Sequence, residues 1–99
     1  MQFEKVSKSF LDHLQIERAL SANSISAYKR DLMKFHKFLN SKQLHLNSVT
    51  EEDLVAYEVD QKAAGFSLAS INRSTSALKT FFKYLDREYS LSDPTTGIN

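Results

Sequence analysis

Serine and basic side chains gather at two places where a helix is expected to begin. Leu20-Ser21-Ala22-Asn23-Ser24-Ile25 and Phe66-Ser67-Leu68-Ala69-Ser70-Ile71 share one pattern: an apolar residue, serine, two variable residues, serine, isoleucine. In each, the first serine suits the N-cap, and the flanking apolar residues occupy the two positions of a hydrophobic staple. A helix N-terminus presents unpaired N–H groups and partial positive charge, so both starts are candidate phosphate sites.

The charge of the chain alternates in sign along its length. The net charge is only +1, but residues 21–45 sum to +4, residues 46–64 to −4 and residues 65–85 to +3. Any one such segment is typical of a solvated helix face, whereas alternation in step with the helices favours a polarised surface. Two basic helices that begin with serine therefore suggest a clamp for nucleic acid.

The composition and the motifs argue against several other kinds of site. The 99 residues allow one modest core and include no cysteine, which rules out disulfides, thiolate nucleophiles and sulfur-ligated metals. Two glycines cannot build a phosphate-cradling loop, and the three histidines lack the spacing of metal ligands. The acids of Glu51-Glu52-Asp53 fit a first helical turn better than acid–base catalysis. We expect no catalytic residue, no metal and no cofactor in this sequence.

The sequence carries no sign of a membrane segment. No apolar run approaches the length that spans a bilayer, and the N-terminus lacks the apolar region of a signal peptide. We expect a cytoplasmic chain with no membrane partner.

Apolar spacing predicts an all-α fold of four amphipathic helices in a compact bundle. The expected helices cover residues 4–18, 21–40, 50–64 and 67–88. Thr50 and Asp53 predict a capping box, and Gly65 suits a left-handed C-cap. The apolar stripes expected to face the core are Phe3, Val6, Phe10 and Leu14, then Ile25, Tyr28, Leu32, Phe35 and Leu39, then Ile71, Leu78, Phe82 and Leu85.

Three stretches, in this order and spacing, resemble the N-terminal core-binding domain of tyrosine recombinases, the family of phage integrases and Xer-type resolvases. The first runs from Ser21 through Tyr28, Lys29, Arg30 and Asp31 to Leu32, and it is similar to the second helix of that domain. The second covers residues 67–85 and is similar to the fourth helix. The third, Asp93-Pro94, resembles the Asn/Asp-Pro that ends this domain before the catalytic one. Ser24 replaces the usual Thr of the family pattern, and Thr75 stands where Leu is common.

The resemblance implies a SAM-like, orthogonal four-helix bundle that forms half of a C-shaped clamp on duplex DNA. It implies a core-binding domain over residues 1–92 and, from 93 to 99, the start of a linker to a catalytic domain. The catalytic arginines, lysine, histidines and tyrosine of the family have no counterpart here, since Tyr84 and Tyr89 belong to the N-terminal pattern. The expected role is therefore DNA binding during recombination or integration, without cleavage.

The partners implied are duplex DNA and other recombinase protomers, with the isolated domain a monomer. The residues expected to contact DNA are Ser24, Ser26, Arg30, Lys34, Ser70, Asn72 and Arg73. Ser24 and Ser70 lie at the third helical position beside the open N–H groups. Arg30 and Arg73 suit a phosphate or a guanine edge, although each alone fits a solvated surface equally well.

A different class of function remains open at this point. In a helical protein–protein adaptor, the acidic third helix and the basic second and fourth helices would dock partners of opposite charge. A small hydrolase is disfavoured by the missing motifs. Binding to random duplex DNA that weakens steeply with salt would distinguish a DNA-binding domain from an adaptor.

Overall fold

The computed structural model describes residues 1–98, and the chain is built from α-helices. The four helices are α1 (Phe3–Ile16), α2 (Ala22–Ser41), α3 (Glu51–Ala63) and α4 (Leu68–Tyr89), with a short 3-10 turn at Leu46–Ser48. Residues 1–98 contain no strand. The predicted all-α class with four helices is thus confirmed, and each helix end lies within two residues of its predicted place.

The helices are distributed over two compact units, Met1–Leu46 and the chain from Asn47 onward. In the first unit α1 and α2 run antiparallel, because Phe3 stacks on His36 with ring centroids 4.3 Å apart while Phe10 meets Tyr28 at 5.9 Å. The stripe predicted for α1 is fully buried, as are Leu32, Phe35 and Leu39 of α2. Ile25 and Tyr28 are half-buried at the α2 end of that stripe.

In the second unit α3 and α4 pack through one apolar face each. The buried side chains are Leu54 and Tyr57 of α3 and Ile71, Ala77, Leu78, Phe81, Phe82, Tyr84 and Leu85 of α4. The predicted α4 stripe is therefore correct. Thr75, one of the two departures from the family pattern, donates its hydroxyl hydrogen to Glu58 Oε1 over 3.4 Å and so links the two helices.

Local hydrogen bonds set the ends of α3. Thr50 Oγ1 accepts from the Asp53 N–H at 3.2 Å, and Asp53 Oδ2 accepts from the Thr50 N–H at 2.9 Å, which confirms the capping box. At the other end Gly65 has φ +91°, and its N–H and that of Phe66 donate to the carbonyls of Lys62 and Gln61. This is a Schellman motif, in which the left-handed residue is the predicted glycine.

The chain after α4 is packed rather than extended. Asp93 Oδ1 accepts from both the N–H and the hydroxyl of Thr95, at 2.8 and 2.6 Å, and Thr95 is buried. Glu51 closes over Gly97, where an added Cβ would lie 2.9 Å from the Glu51 Oε1 atom. The domain over residues 1–92 and the linker over 93–99 stay predictions, and Asn99 lies outside the described residues.

Candidate nucleic-acid interface

The first turn of α2 leaves two backbone donors open. Ser21 is the N-cap, and its Oγ accepts from the Ser24 N–H at 3.2 Å. The same Ser21 hydroxyl donates to Ser24 Oγ at 3.2 Å, which leaves the Ser24 hydroxyl hydrogen without an acceptor in residues 1–98. The N–H groups of Ala22 and Asn23 likewise have no acceptor in this part of the chain. Three donors at a positive helix end are suited to a phosphate oxygen.

The first turn of α4 repeats this arrangement. Ser67 is the N-cap, and its Oγ accepts from the Ser70 N–H at 3.2 Å. Within the described residues, the N–H groups of Leu68 and Ala69 and the Ser70 hydroxyl have no hydrogen-bond partner. The two N-caps predicted from the serine pattern are therefore confirmed, and each start offers backbone and hydroxyl donors together.

The two serines predicted on α2 point in different directions. Ser24 is half-buried on the core side of the first turn, whereas Ser26 is exposed. Residues two positions apart in a helix point about 200° apart around the axis, so Ser24 and Ser26 cannot lie on the same face. Ser24 belongs with the helix end, and Ser26 belongs with Arg30 one turn later on the solvent face.

The solvent face of α2 is basic. Ser26 and Arg30 are exposed, and Arg30 has no ion pair among residues 1–98, so its guanidinium is available to a ligand. Lys34 continues the series one turn further but is half-buried at the edge of this face. Ser26, Arg30 and Lys34 thus form one line along the helix, with the exposed Arg30 at its centre.

On α4 the predicted residues also divide between helix end and helix face. Ser70 is half-buried at the first turn, and Asn72 and Arg73 are exposed. Consecutive helical residues are about 100° apart, so Asn72 and Arg73 lie on adjacent parts of the solvent surface. Arg73 follows the N-cap by six residues, which places it in the second turn, close to the open N–H groups.

Two exposed lysines that the sequence-based prediction left out lie further along the same faces. Lys37 on α2 and Lys83 on α4 each follow their N-cap serine by sixteen residues. Lys37 lies about two turns beyond Arg30, and Lys83 about three turns beyond Asn72, so each falls on the face already described. Aligning the two helices on Ser21 and Ser67 would have revealed this pair from the sequence.

The described residues lack two other kinds of site, a membrane-spanning helix and a metal centre. No helix in residues 1–98 has the length and apolar character needed to cross a membrane. The same residues contain no group of three or more side chains arranged to hold a metal ion. Each serine-capped helix start, with the face that follows it, is a candidate site within its own unit.

Comparison with known proteins decides the family. The sequence model of the family described as "Phage integrase, N-terminal SAM-like domain" matches residues 8–89. The chain belongs to this family. The matched range includes all seven predicted contact residues and both N-cap serines. No solved structure matches the chain.

The curated relatives include recombinases of the Xer type. The chain is 37% identical over 94 residues to the tyrosine recombinase XerC of Roseiflexus castenholzii, which covers 93% of this chain and 30% of that protein. It is 36% identical over 93 residues to the tyrosine recombinase XerD of Proteus mirabilis, which covers 94% of this chain and 30% of that protein. The chain therefore spans about a third of the length of the curated relatives it matches, within their N-terminal domain family.

Proposed function

We propose that this chain binds duplex DNA as one half of a clamp, with a catalytic domain outside this sequence as the other half. The family and the tyrosine recombinases among its relatives support this role. The observation that carries the proposal is the pair of serine-capped helix starts, because each combines open N–H donors with a solvent face that holds an arginine. Such donors bind phosphate oxygens whatever the base sequence of the DNA.

The predicted contacts divide into two roles. Ser24, Ser70 and the backbone N–H groups beside them bind phosphate and set the position of each helix on the duplex. Arg30 and Arg73, with Ser26, Asn72 and Lys34 beside them, reach phosphates or base edges. In the parent protein, other recombinase protomers are the further partners of this domain.

The experiment is a salt titration with random duplex DNA. Half a clamp neutralises few phosphates, so the dissociation constant should lie at roughly 10⁻⁴–10⁻⁶ M at physiological salt, with the chain monomeric at micromolar concentration. If the chain contacts about four phosphates, its affinity for DNA should fall about a hundredfold between about 50 and 200 mM salt, because binding releases counterions from the DNA. Nanomolar, sequence-specific binding by this chain alone would contradict the half-clamp.

The same titration tests the alternative function. An adaptor that uses its charged faces for protein partners would show little DNA binding at any salt concentration. Absence of binding even at low salt would therefore reject the proposal and favour the adaptor.

A further inference from the structure

A groove with an apolar floor runs along the surface of the first unit between α1 and α2. Its volume is about 460 Å³, and its floor includes Phe3, Leu11, Leu32 and Met33. Met33 is 58% exposed, so this floor is open to solvent. A helix with small apolar side chains one turn apart is the kind of ligand that such a groove accepts.

Charges mark the two ends of this groove with opposite sign. Glu4 lies at the level where Phe3 stacks on His36, and Lys29 lies seven residues before His36 on α2. Lys29 is therefore about 10 Å further along the groove. Lys8 lines the same basic end but pairs with Asp12 at 3.2 Å, whereas Glu4 and Lys29 have no ion pair in residues 1–98.

The outer face of α3 carries two exposed apolar side chains that could fit the floor of this groove. Leu54, Tyr57 and Gln61 are buried, and the opposite side of the helix carries exposed Val55 and Val59. These two valines are one turn apart and are 50% and 60% exposed. An apolar pair left in solvent on a helix whose other side is already buried is a candidate contact surface.

The two ends of this α3 face carry charges opposite in sign to those at the two ends of the groove. Glu52 precedes Val55 by about one turn and Lys62 follows Val59 by about one turn, and both are exposed. Neither has an ion pair among residues 1–98. The charges lie about 15 Å apart along the axis, a span that the flexible side chains of Lys29 and Glu4 can meet.

We propose that the α1–α2 groove of one copy of this chain receives the outer face of α3 from a second copy, with Glu52 beside Lys29 and Lys62 beside Glu4. Val55 and Val59 fill the apolar floor. The two surfaces differ, so the contact is head-to-tail, and each copy retains one free groove or one free face for a further copy. A single helix face buries little area, so the association is weak and appears toward millimolar concentration.

Charge reversal tests this pairing in the DNA-free chain. Lys29→Glu places two acids together and Glu52→Lys places two cations together, so each variant alone should associate at least about fivefold more weakly than the natural chain. In a mixture, the groove of the Lys29→Glu copy can receive the α3 face of the Glu52→Lys copy, and the charges at that contact are again opposite. Association of the mixture should therefore return to within about twofold of the natural chain.

Sedimentation velocity from micromolar to millimolar concentration at low salt gives the measurement. Arg18→Glu and Asp86→Lys are the matched controls, because both residues are exposed and lie on neither surface. Circular dichroism shows whether each variant keeps its helices. The inference does not rest on DNA binding, and three results would overturn it. The natural chain could stay monomeric at every concentration, the charge reversals could weaken association no more than the control variants do, or the mixture could associate no more tightly than either variant alone.

Discussion

At the scale of single residues, the two serines at the start of α4 have separable roles. Ser67 Oγ satisfies the Ser70 N–H, whereas the Ser70 hydroxyl has no hydrogen bond within residues 1–98. A cap contributes to folding, and an open hydroxyl at the helix end contributes only when a ligand arrives. The same division holds for Ser21 and Ser24 on α2, except that Ser24 Oγ also accepts from Ser21.

Alanine substitution separates the cap from the contact. Ser67→Ala should lower the free energy of unfolding by about 1 kcal/mol, since one orphan N–H loses its acceptor. Ser70→Ala should leave stability within about 0.5 kcal/mol and weaken DNA binding instead. Thermal melting and DNA titration of both variants give the comparison. A large loss of stability in Ser70→Ala would assign that hydroxyl to folding.

Arg73 and Lys62 offer a second comparison at this scale. Arg73 is exposed in the second turn of α4, while Lys62 ends the acidic helix α3, where neighbouring carboxylates offset its field. Arg73→Ala should weaken binding of the full-length parent to its own site by several-fold or more, because a base-edge arginine contributes about 1–3 kcal/mol. Lys62→Ala should change mainly the salt slope. Equal losses would argue against α4 as a recognition helix.

At the scale of elements, a residue with positive φ follows each of the four helices. Ala19, Gln43, Gly65 and Ser90 all have positive φ, and the apolar residue after each donates its N–H back into the preceding helix. Only one of the four is glycine, so three helix ends hold a side chain in the left-handed region. For a residue with a Cβ this conformation costs about 1–2 kcal/mol.

Opposite substitutions at two of these ends should have opposite effects. Gly65→Ala should destabilise the chain by about 1 kcal/mol, although nothing lies within 4 Å of the new Cβ, because φ is +91°. Gln43→Gly, at φ +55° in the same motif, should stabilise it by about 0.5 kcal/mol, since the relief of strain exceeds the extra chain entropy. Urea unfolding measures both, and a stabilising Gly65→Ala would refute the strain argument.

At the scale of the whole molecule, the chain belongs to the N-terminal SAM-like domain family and spans about 30% of the length of its curated relatives. The catalytic arginines, lysine, histidines and tyrosine that the family resemblance implies have no counterpart in the sequence. The exposed Tyr89 ends α4, and Tyr84 is buried. Strand cleavage is therefore expected to depend on residues outside this sequence.

A nicked suicide substrate tests this expectation. The chain should form no covalent protein–DNA adduct on such a substrate, even at concentrations that saturate DNA binding, because Tyr84 is buried and both Tyr84 and Tyr89 belong to the N-terminal pattern of the family. Denaturing gel electrophoresis of the reaction detects an adduct directly, with an active tyrosine recombinase as the positive control. An adduct through Tyr84 or Tyr89 would show that the chain carries a catalytic centre of its own.

The sequence by itself determined the helices and their caps. Ser21, Thr50 and Ser67 were predictable as N-caps because a cap bond joins residues only three apart. The apolar stripes of α1 and α4 were predictable for a related reason, since helical spacing alone places Phe3, Val6, Phe10 and Leu14 on one side. These features depend on neighbours along the chain, which the sequence shows directly.

Only the tertiary structure decided which side of α3 faces the core. This helix has apolar residues on two sides, and packing buries Leu54 and Tyr57 while Val55 and Val59 stay in solvent. Packing also buries Asp31 and Gln61, which composition alone would place at the surface. The physical reason is that burial depends on partners many residues away along the chain. The half-buried state of Ser24 and Ser70 in the first turns of α2 and α4 likewise follows from tertiary packing.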